Sequence, residues 1–152
     1  MALRTPLYLI IAALGVLIFV ATFLPWATVD TANAPLADGI VDSSSGLEAG
    51  GWGAAAIVVG IAIAAIGVLG YVWNPFSDPE AMFIAGFAVL ALIAAGIKLG
   101  DANDLVGTEI VDYYDASAGI GLYLILVAAN LALLGSLWIL FSRPKAEARL
   151  AD

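Results

Sequence analysis

The sequence predicts an all-α integral membrane protein: a single domain over residues 1–152, built as a four-transmembrane-helix bundle with a small extracellular β cap. Of its 152 residues, 63% are hydrophobic and 12% are charged, against about 45–50% and about 25% in soluble domains. A soluble domain of this length buries only about 70% of the surface that its unfolded chain exposes, so it could not hide this much apolar surface. Four apolar runs are each long enough to cross a membrane, since about 20 helical residues span roughly 30 Å of hydrocarbon. The runs lack the alternation of barrel strands, so helices are predicted.

The first predicted span covers residues 6–24. Arg4 and the small-residue stretch Ala32-Asn33-Ala34 also fit a cleaved signal peptide, which has a charged start and a small-residue cleavage site. The apolar run, however, is longer than the roughly 7–15 residues of a signal peptide, and the cleavage motif lies well beyond its end. A retained first transmembrane helix is therefore the favoured interpretation.

The second predicted span, residues 52–73, carries three glycines spaced seven apart: Gly53, Gly60 and Gly67. Residues with this spacing lie on nearly the same face of a helix. Small residues let membrane helices approach closely, where lipid offers no hydrophobic driving force for association. We expect this face to pack inside the bundle; the alternative is a face that docks a helix of another protein.

The third predicted span, residues 81–99, ends near Lys98, which we expect to form a helix-end ion pair with Asp101 or to extend toward the interface. Asp101 and Asp104 resemble the start of an EF-hand loop. That loop needs Gly at its sixth position and Glu at its twelfth, and here these positions hold Val106 and Asp112. The EF-hand is excluded, and a looser carboxylate site for a divalent ion stays an alternative.

The fourth predicted span, residues 119–141, contains Asn130 near its middle, the one strongly polar side chain deep in any span. A mid-membrane amide is expected to bond to a backbone carbonyl or to another helix. Proton relays and ion-coupled carriers use intramembrane carboxylates, His or Lys. A structural contact is therefore favoured over a transport site.

Charge predicts the orientation. Arg4 precedes the first span, and three further basic residues follow the fourth. The positive-inside rule therefore predicts a protein of the cell membrane with both termini in the cytoplasm. The two outer loops then carry −4 each and together account for the net charge of −8. An acidic outer face argues against nucleic acid. It could attract cations or a basic partner, or it could be solvated surface only.

Two further expectations concern the ends of the spans. Trp26 and Trp52 at the outer side, and Tyr8, Trp73 and Trp138 at the inner side, are expected to lie at the lipid headgroups, where aromatic residues with a polar atom are enriched. Residues 28–29 and 109–114 are rich in side chains that favour strands. We therefore predict a small outer sheet that joins the two loops over the bundle.

The segment around Trp26, Gly46 and Leu47 resembles the claudin-like four-transmembrane-helix superfamily, whose first outer loop carries a Trp followed some twenty residues later by Gly-Leu-Trp. Glu48 stands where that pattern has its second Trp, and the family's disulfide cysteines are absent. The chain is also similar to small prokaryotic four-helix membrane proteins that leave helix one through Leu24-Pro25-Trp26 and begin helix four with residues 119–123. The resemblance implies an adhesion, assembly or accessory role.

The residue types that are missing exclude most catalytic chemistry. The chain has no His and no Cys, which removes the commonest general base and metal ligand and every Ser–His or Cys–His pair. We expect a non-catalytic protein without a cofactor: an accessory or scaffold subunit that contacts lipid and other membrane subunits, or copies of itself. Two alternatives stay open, namely an oligomeric channel or facilitator for cations or small solutes and a metal-dependent enzyme that uses outer-loop carboxylates.

Overall fold

The structure is a computed structural model that describes residues 4–29, 43–73, 78–100 and 116–142. Of these residues, 80% are helical. The helices are α1 (Arg4–Ala21), α2 (Gly51–Trp73), α3 (Asp78–Gly100) and α4 (Ile120–Phe141). Three short strands complete the fold: β1 (Pro25–Val29), β2 (Ser43–Ser45) and β3 (Ala116–Ala118). The prediction of a mainly helical chain with a small sheet is confirmed.

Three of the helices are long and apolar enough to cross a membrane: α2, α3 and α4 each contain an apolar stretch of 22 residues. Such a stretch rises about 33 Å, which matches the hydrocarbon thickness. The apolar part of α1 is shorter and covers Pro6–Ala21. The sequence therefore overestimates the first span, although its helix is present.

The prediction that the first span continues to residue 24 is wrong, because α1 ends at Ala21. Thr22, Phe23 and Leu24 form a tightened turn, in which each backbone N–H donates to the carbonyl three residues earlier. Pro25 explains the end of the helix, since a proline disfavours the helical conformation of the residue before it. The Thr22 hydroxyl also donates to the Ile18 carbonyl in the last turn of α1 at 3.1 Å, which satisfies this buried polar group.

The third helix differs from its prediction at the opposite end. It begins at Asp78 rather than at residue 81. Pro79 lies in its first turn, where a missing backbone N–H costs no intrahelical hydrogen bond. The apolar pattern starts only after this polar turn, so hydropathy alone could not locate the true start.

The helices pack as a ring. α1 contacts α2 and α4, and α3 contacts α2 and α4. The buried side chains in the interior include isoleucines, such as Ile63 and Ile125, and many alanines, such as Ala88 and Ala128. Small residues permit close helix approach, which increases dispersion contacts where lipid is as apolar as the helices.

The sheet lies at the end of the bundle where α1 ends and where α2 and α4 begin. Its order is β2-β1-β3, with β1 antiparallel to both neighbours. Thr28 is opposite Ser43 on one side and opposite Ser117 on the other, and the Thr28 and Ser117 hydroxyls are 3.2 Å apart. The sheet thus joins the connection between α1 and α2 to the connection between α3 and α4, as predicted. Residues 109–114, expected to supply the second strand, lie outside the described residues, and the strand observed is β3.

Candidate interaction surfaces

Trp26 is the most deeply enclosed large side chain at the sheet end of the bundle, with 0% of its surface exposed. The pairing of β1 with β2 is irregular here: Pro25 is opposite Ser45, whereas Ala27 is opposite the adjacent Ser44. An extra residue in one strand re-aims side chains. Consecutive residues of a regular strand point to opposite faces, and the irregularity explains why Trp26 and Ala27 are both buried.

Three parts of the chain meet at the Trp26 ring. Its indole Nε1 donates to the Ala21 carbonyl at the end of α1, at 3.1 Å. Gly46, in the turn after β2, lies against the ring at Cε2, and a Cβ on Gly121 of α4 would lie 2.7 Å from its Cδ1. Neither glycine could carry a side chain without displacing the ring. Trp26 therefore connects α1, the first loop and α4.

The expected placement of aromatic side chains at the headgroups is wrong for two of them. Trp26 is fully buried in the protein, and Tyr8 is only 5% exposed, so neither presents its ring to lipid. Trp138 is 67% exposed and remains suited to that role, and Trp52 is half-buried. The Trp73 side chain is outside the described residues. Position near a span end did not distinguish a membrane-facing ring from one inside the protein.

The turn that follows β2 brings Leu47 and Glu48 to the surface. Leu47, part of the sequence-predicted interaction set, is 51% exposed beside the buried Gly46. The Glu48 carboxylate accepts a hydrogen bond from the Ser45 backbone N–H at 2.7 Å and a longer one from the Ser45 hydroxyl. The backbone hydrogen bond is the main reason that the pKa of Glu48 lies below its ordinary value.

We expect the Glu48 carboxyl to titrate at lower pH in the folded protein than in a short peptide of the same local sequence. A pKa lowered by folding means that this carboxylate stabilises the fold above its unfolded-state pKa, and that the contribution is lost as pH falls through the folded-state pKa. Carbon NMR of the labelled side chain would measure both values. Equal pKa values in the protein and the peptide would contradict the hydrogen bond, and Glu48→Gln should remove the titration altogether.

Three glycines of α2, namely Gly53, Gly60 and Gly67, face α1 or the turn before α2. A Cβ on Gly60 would lie 2.8 Å from the Phe19 backbone N, and one on Gly67 would lie 2.7 Å from the Ala12 backbone N. Gly53 lies directly against the Gly46 carbonyl. On the other helix, Gly15 faces Gly60 and Ala64. The face of α2 that contains Gly60 and Gly67 is thus covered by α1 of the same chain; we call this contact the glycine seam.

An open groove of about 540 Å³ lies beside the glycine seam. Its walls come from α1 and α2 and include Val16, Phe19, Ile61, Val68 and Leu69. Because its surface is almost wholly apolar, it offers only dispersion contacts and no group that would orient a polar ligand.

Asn130 lies at the middle of α4 on the exposed side of the bundle. Its side-chain N–H donates to the Leu126 carbonyl of the same helix at 2.8 Å. This is one of the two partners expected for it, a backbone carbonyl. The amide does not join two helices of the bundle, because the buried face of α4 is formed by other residues.

Of the remaining predicted interaction residues, the structure describes only Lys98. Lys98 is in the last turn of α3 and is only 8% exposed. Asp101 and Asp104 lie outside the described residues, so the expected Lys98–Asp101 pair and a carboxylate metal site stay predictions. Within the described ranges, no group of three His, Cys, Asp or Glu side chains is placed to hold a metal ion.

Two buried hydroxyl groups in the described part of the bundle donate to backbone carbonyls close to them in the chain. The Ser136 hydroxyl donates to the Leu133 carbonyl at 2.8 Å, as Thr22 does to Ile18. Every buried side-chain nitrogen or oxygen in the described part of the bundle thus has a partner.

Comparisons of the chain with protein-family models, with curated proteins and with solved structures found no match.

Sequence reasoning missed two of the close contacts described above. Gly15 gave a usable signal, since Gly15 and the nearby Ala12 and Ala13 are small residues within a run of bulky apolar ones. No pattern in the sequence indicates the burial of Trp26, because the contact with Gly46 and Gly121 depends on how the sheet places the first loop over α4.

Proposed function

We propose that the chain is a non-catalytic multi-pass protein of the cell membrane that acts as an accessory or scaffold subunit of a larger membrane assembly. All four helices cross the bilayer in this proposal, with both termini in the cytoplasm. The sheet end then faces outward, and the protein contacts its neighbours through its helix faces and through the acidic loops.

Packing supports a spanning role for α1 in spite of its shorter apolar part. The glycine seam places Gly15 beside Ala64 and Ala12 beside Gly67, so α1 runs antiparallel alongside most of α2. A helix packed along a spanning helix lies at the same depth. A short apolar stretch is accommodated by local bilayer thinning or by polar flanking residues, at a modest cost per ångström.

The outward position of Asn130 carries the proposal. No buried side-chain nitrogen or oxygen of the described interior lacks a partner, whereas a polar amide at the middle of an apolar 22-residue helix lies on the outer surface. A channel through a single bundle would need polar groups on the inside. Polar groups in membrane spans normally face protein rather than lipid. The position of Asn130 therefore favours a function in which this side of α4 contacts a neighbouring protein.

The acidic segments fit the same proposal. Segments 30–42 and 101–115, which contain most of the acidic residues, both connect elements at the sheet end. Charge gathered at one end of the bundle suits recognition of a basic partner. The assembly role implied by the claudin-like resemblance agrees with this, and its motif residues Trp26 and Gly46 are in contact.

Photo-crosslinking in the membranes of cells that express the chain tests the proposal. A photoreactive amino acid replaces one exposed residue at a time: Ile61 on α2, Leu90 on α3 or Leu134 on α4. We expect at least one position to give a covalent adduct larger than the 15.6 kDa chain, whose second component mass spectrometry identifies. If no position yields a protein adduct, the chain works alone and the proposal fails.

A further inference from the structure

The outer face of α4 has a regular heptad pattern. Ile120, Val127, Leu134 and Phe141 are spaced seven apart, and Tyr123 and Asn130 form the intervening series with the same spacing. The apolar members are between 50% and 83% exposed. Two such series, offset by three, form the contact stripe of helices that supercoil around each other. We call these six residues the Asn130 face.

The Asn130 amide has hydrogen-bonding capacity left over. A side-chain amide has two N–H donors and an oxygen with two lone pairs. One N–H donates to the Leu126 carbonyl, and the described residues supply no partner for the second N–H or for Oδ1. In hydrocarbon no water can take these positions, and an unsatisfied polar group there costs free energy. We therefore expect the Asn130 amide to bind a partner that supplies both a hydrogen-bond donor and an acceptor at this depth.

We propose that the Asn130 face is the contact surface of a parallel homodimer, in which the α4 helices of two copies pack together and the two Asn130 amides bond to each other. This inference rests on the proposed membrane-spanning function and names the neighbour: a second copy of the chain.

Depth selects a second copy over an unrelated protein. Two copies inserted in the same orientation run α4 parallel, so both amides lie about 15 Å from the helix ends and meet across a twofold axis. An amide is self-complementary, since each copy supplies the donor and the acceptor that the other needs. An isologous contact of this kind closes on itself as a dimer.

The single polar position in an otherwise apolar stripe has a further consequence. In coiled coils, one polar residue at a stripe position fixes the register and the number of helices at some cost in stability. Sliding one α4 by a heptad would place one amide beside Tyr123 and the other beside Leu137, so the two amides would no longer bond to each other. Asn130 thus defines one register for the pair, with Val127 facing Val127 and Leu134 facing Leu134.

Cysteine crosslinking tests this pair without a background, because the chain contains no Cys. Val127→Cys and Leu134→Cys place thiols on the Asn130 face, and Leu90→Cys places one on the exposed face of α3 as the matched control. On oxidation in membranes, we expect a disulfide-linked dimer from each α4 variant and little from the control. Equal dimer yields at all three positions would indicate random collision and overturn the proposal.

Asn130→Leu is the second arm of the experiment. In vesicles of phosphatidylcholine, energy transfer between labelled copies, measured as lipid is added, reports the dimer dissociation constant. We expect this constant to rise about fivefold, which corresponds to the loss of interhelical bonds of typical strength. Circular dichroism checks that the helices are retained. An unchanged constant with intact helices would show that the amide does not hold the contact.

The two proposals fail separately. If the photoreactive group at Leu134 captures only a different protein, the homodimer is overturned while the accessory role is supported. If no exposed position gives any adduct and Val127→Cys gives no dimer, both proposals are overturned.

Discussion

Trp26→Ala is expected to lower the free energy of unfolding by about 3–5 kcal/mol, the range typical of truncating a large buried aromatic residue. The ring is fully buried, and Gly46 and Gly121 bring backbone against it, so neighbouring side chains are poorly placed to fill the space. The indole bond to the Ala21 carbonyl is lost as well. Reversible unfolding in mixed micelles, followed by circular dichroism as a denaturing detergent is added, measures the change.

Two variants serve as controls for Trp26→Ala. Trp26→Phe keeps much of the apolar volume and removes the indole donor, so the loss should be smaller. Trp138→Ala removes the same side chain from an exposed position on α4 and should change the free energy of unfolding by less than about 1 kcal/mol. Equal losses for Trp26→Ala and Trp138→Ala would show that Trp26 is not enclosed as described.

Gly60→Ala is expected to destabilise the protein by about 1–3 kcal/mol, although it adds only one methyl group. That methyl would lie 2.8 Å from the Phe19 backbone N and 2.9 Å from the Gly15 carbonyl oxygen. Backbone atoms cannot rotate away as a flexible side chain would, so α1 and α2 must separate and lose contacts along the glycine seam. The same unfolding measurement applies.

Gly86→Ala is the matched control for the glycine seam. Gly86 is an exposed residue of α3, and a Cβ there would meet no atom within 4 Å. Alanine favours a helix over glycine by up to about 1 kcal/mol, so this variant should be neutral or slightly more stable. Opposite signs for the two substitutions are the expected signature. A neutral Gly60→Ala would contradict direct backbone contact between α1 and α2.

Composition and apolar runs were sufficient to predict most of the fold. Residues 52–73 and 119–141 agree with α2 and α4 within one residue at each end, because both the lipid-facing and the buried sides of a membrane helix are apolar. The small sheet was also predictable, since residues such as Thr28 and Val29 favour extended structure. Local chemistry that hydropathy ignores, at Pro25 and Pro79, accounts for the misplaced ends of α1 and α3.

The interaction surfaces were harder to predict, for a physical reason. Since both sides of these helices are apolar, the sequence alone does not indicate which side faces the bundle. Asn130 could have pointed inward or outward, and only the packing of α4 against α1 and α3 places it outside. Trp26 likewise required knowledge of the sheet, because a ring near the end of a span suits either the headgroups or a buried site.

The central position of β1 has a consequence for how the protein is made. Thr28 of β1 bonds to Ser117 of β3, 89 positions later in the chain. A ribosome releases the N-terminal part first, so α1, β1, β2 and α2 are available to one another well before β3 exists. The glycine seam can assemble at that stage, while one edge of β1 keeps unpaired backbone groups until the last quarter of the chain arrives. Completion of this edge therefore reports that synthesis has passed residue 118, and a chain truncated before β3 should be recognisable to quality-control factors by its open strand.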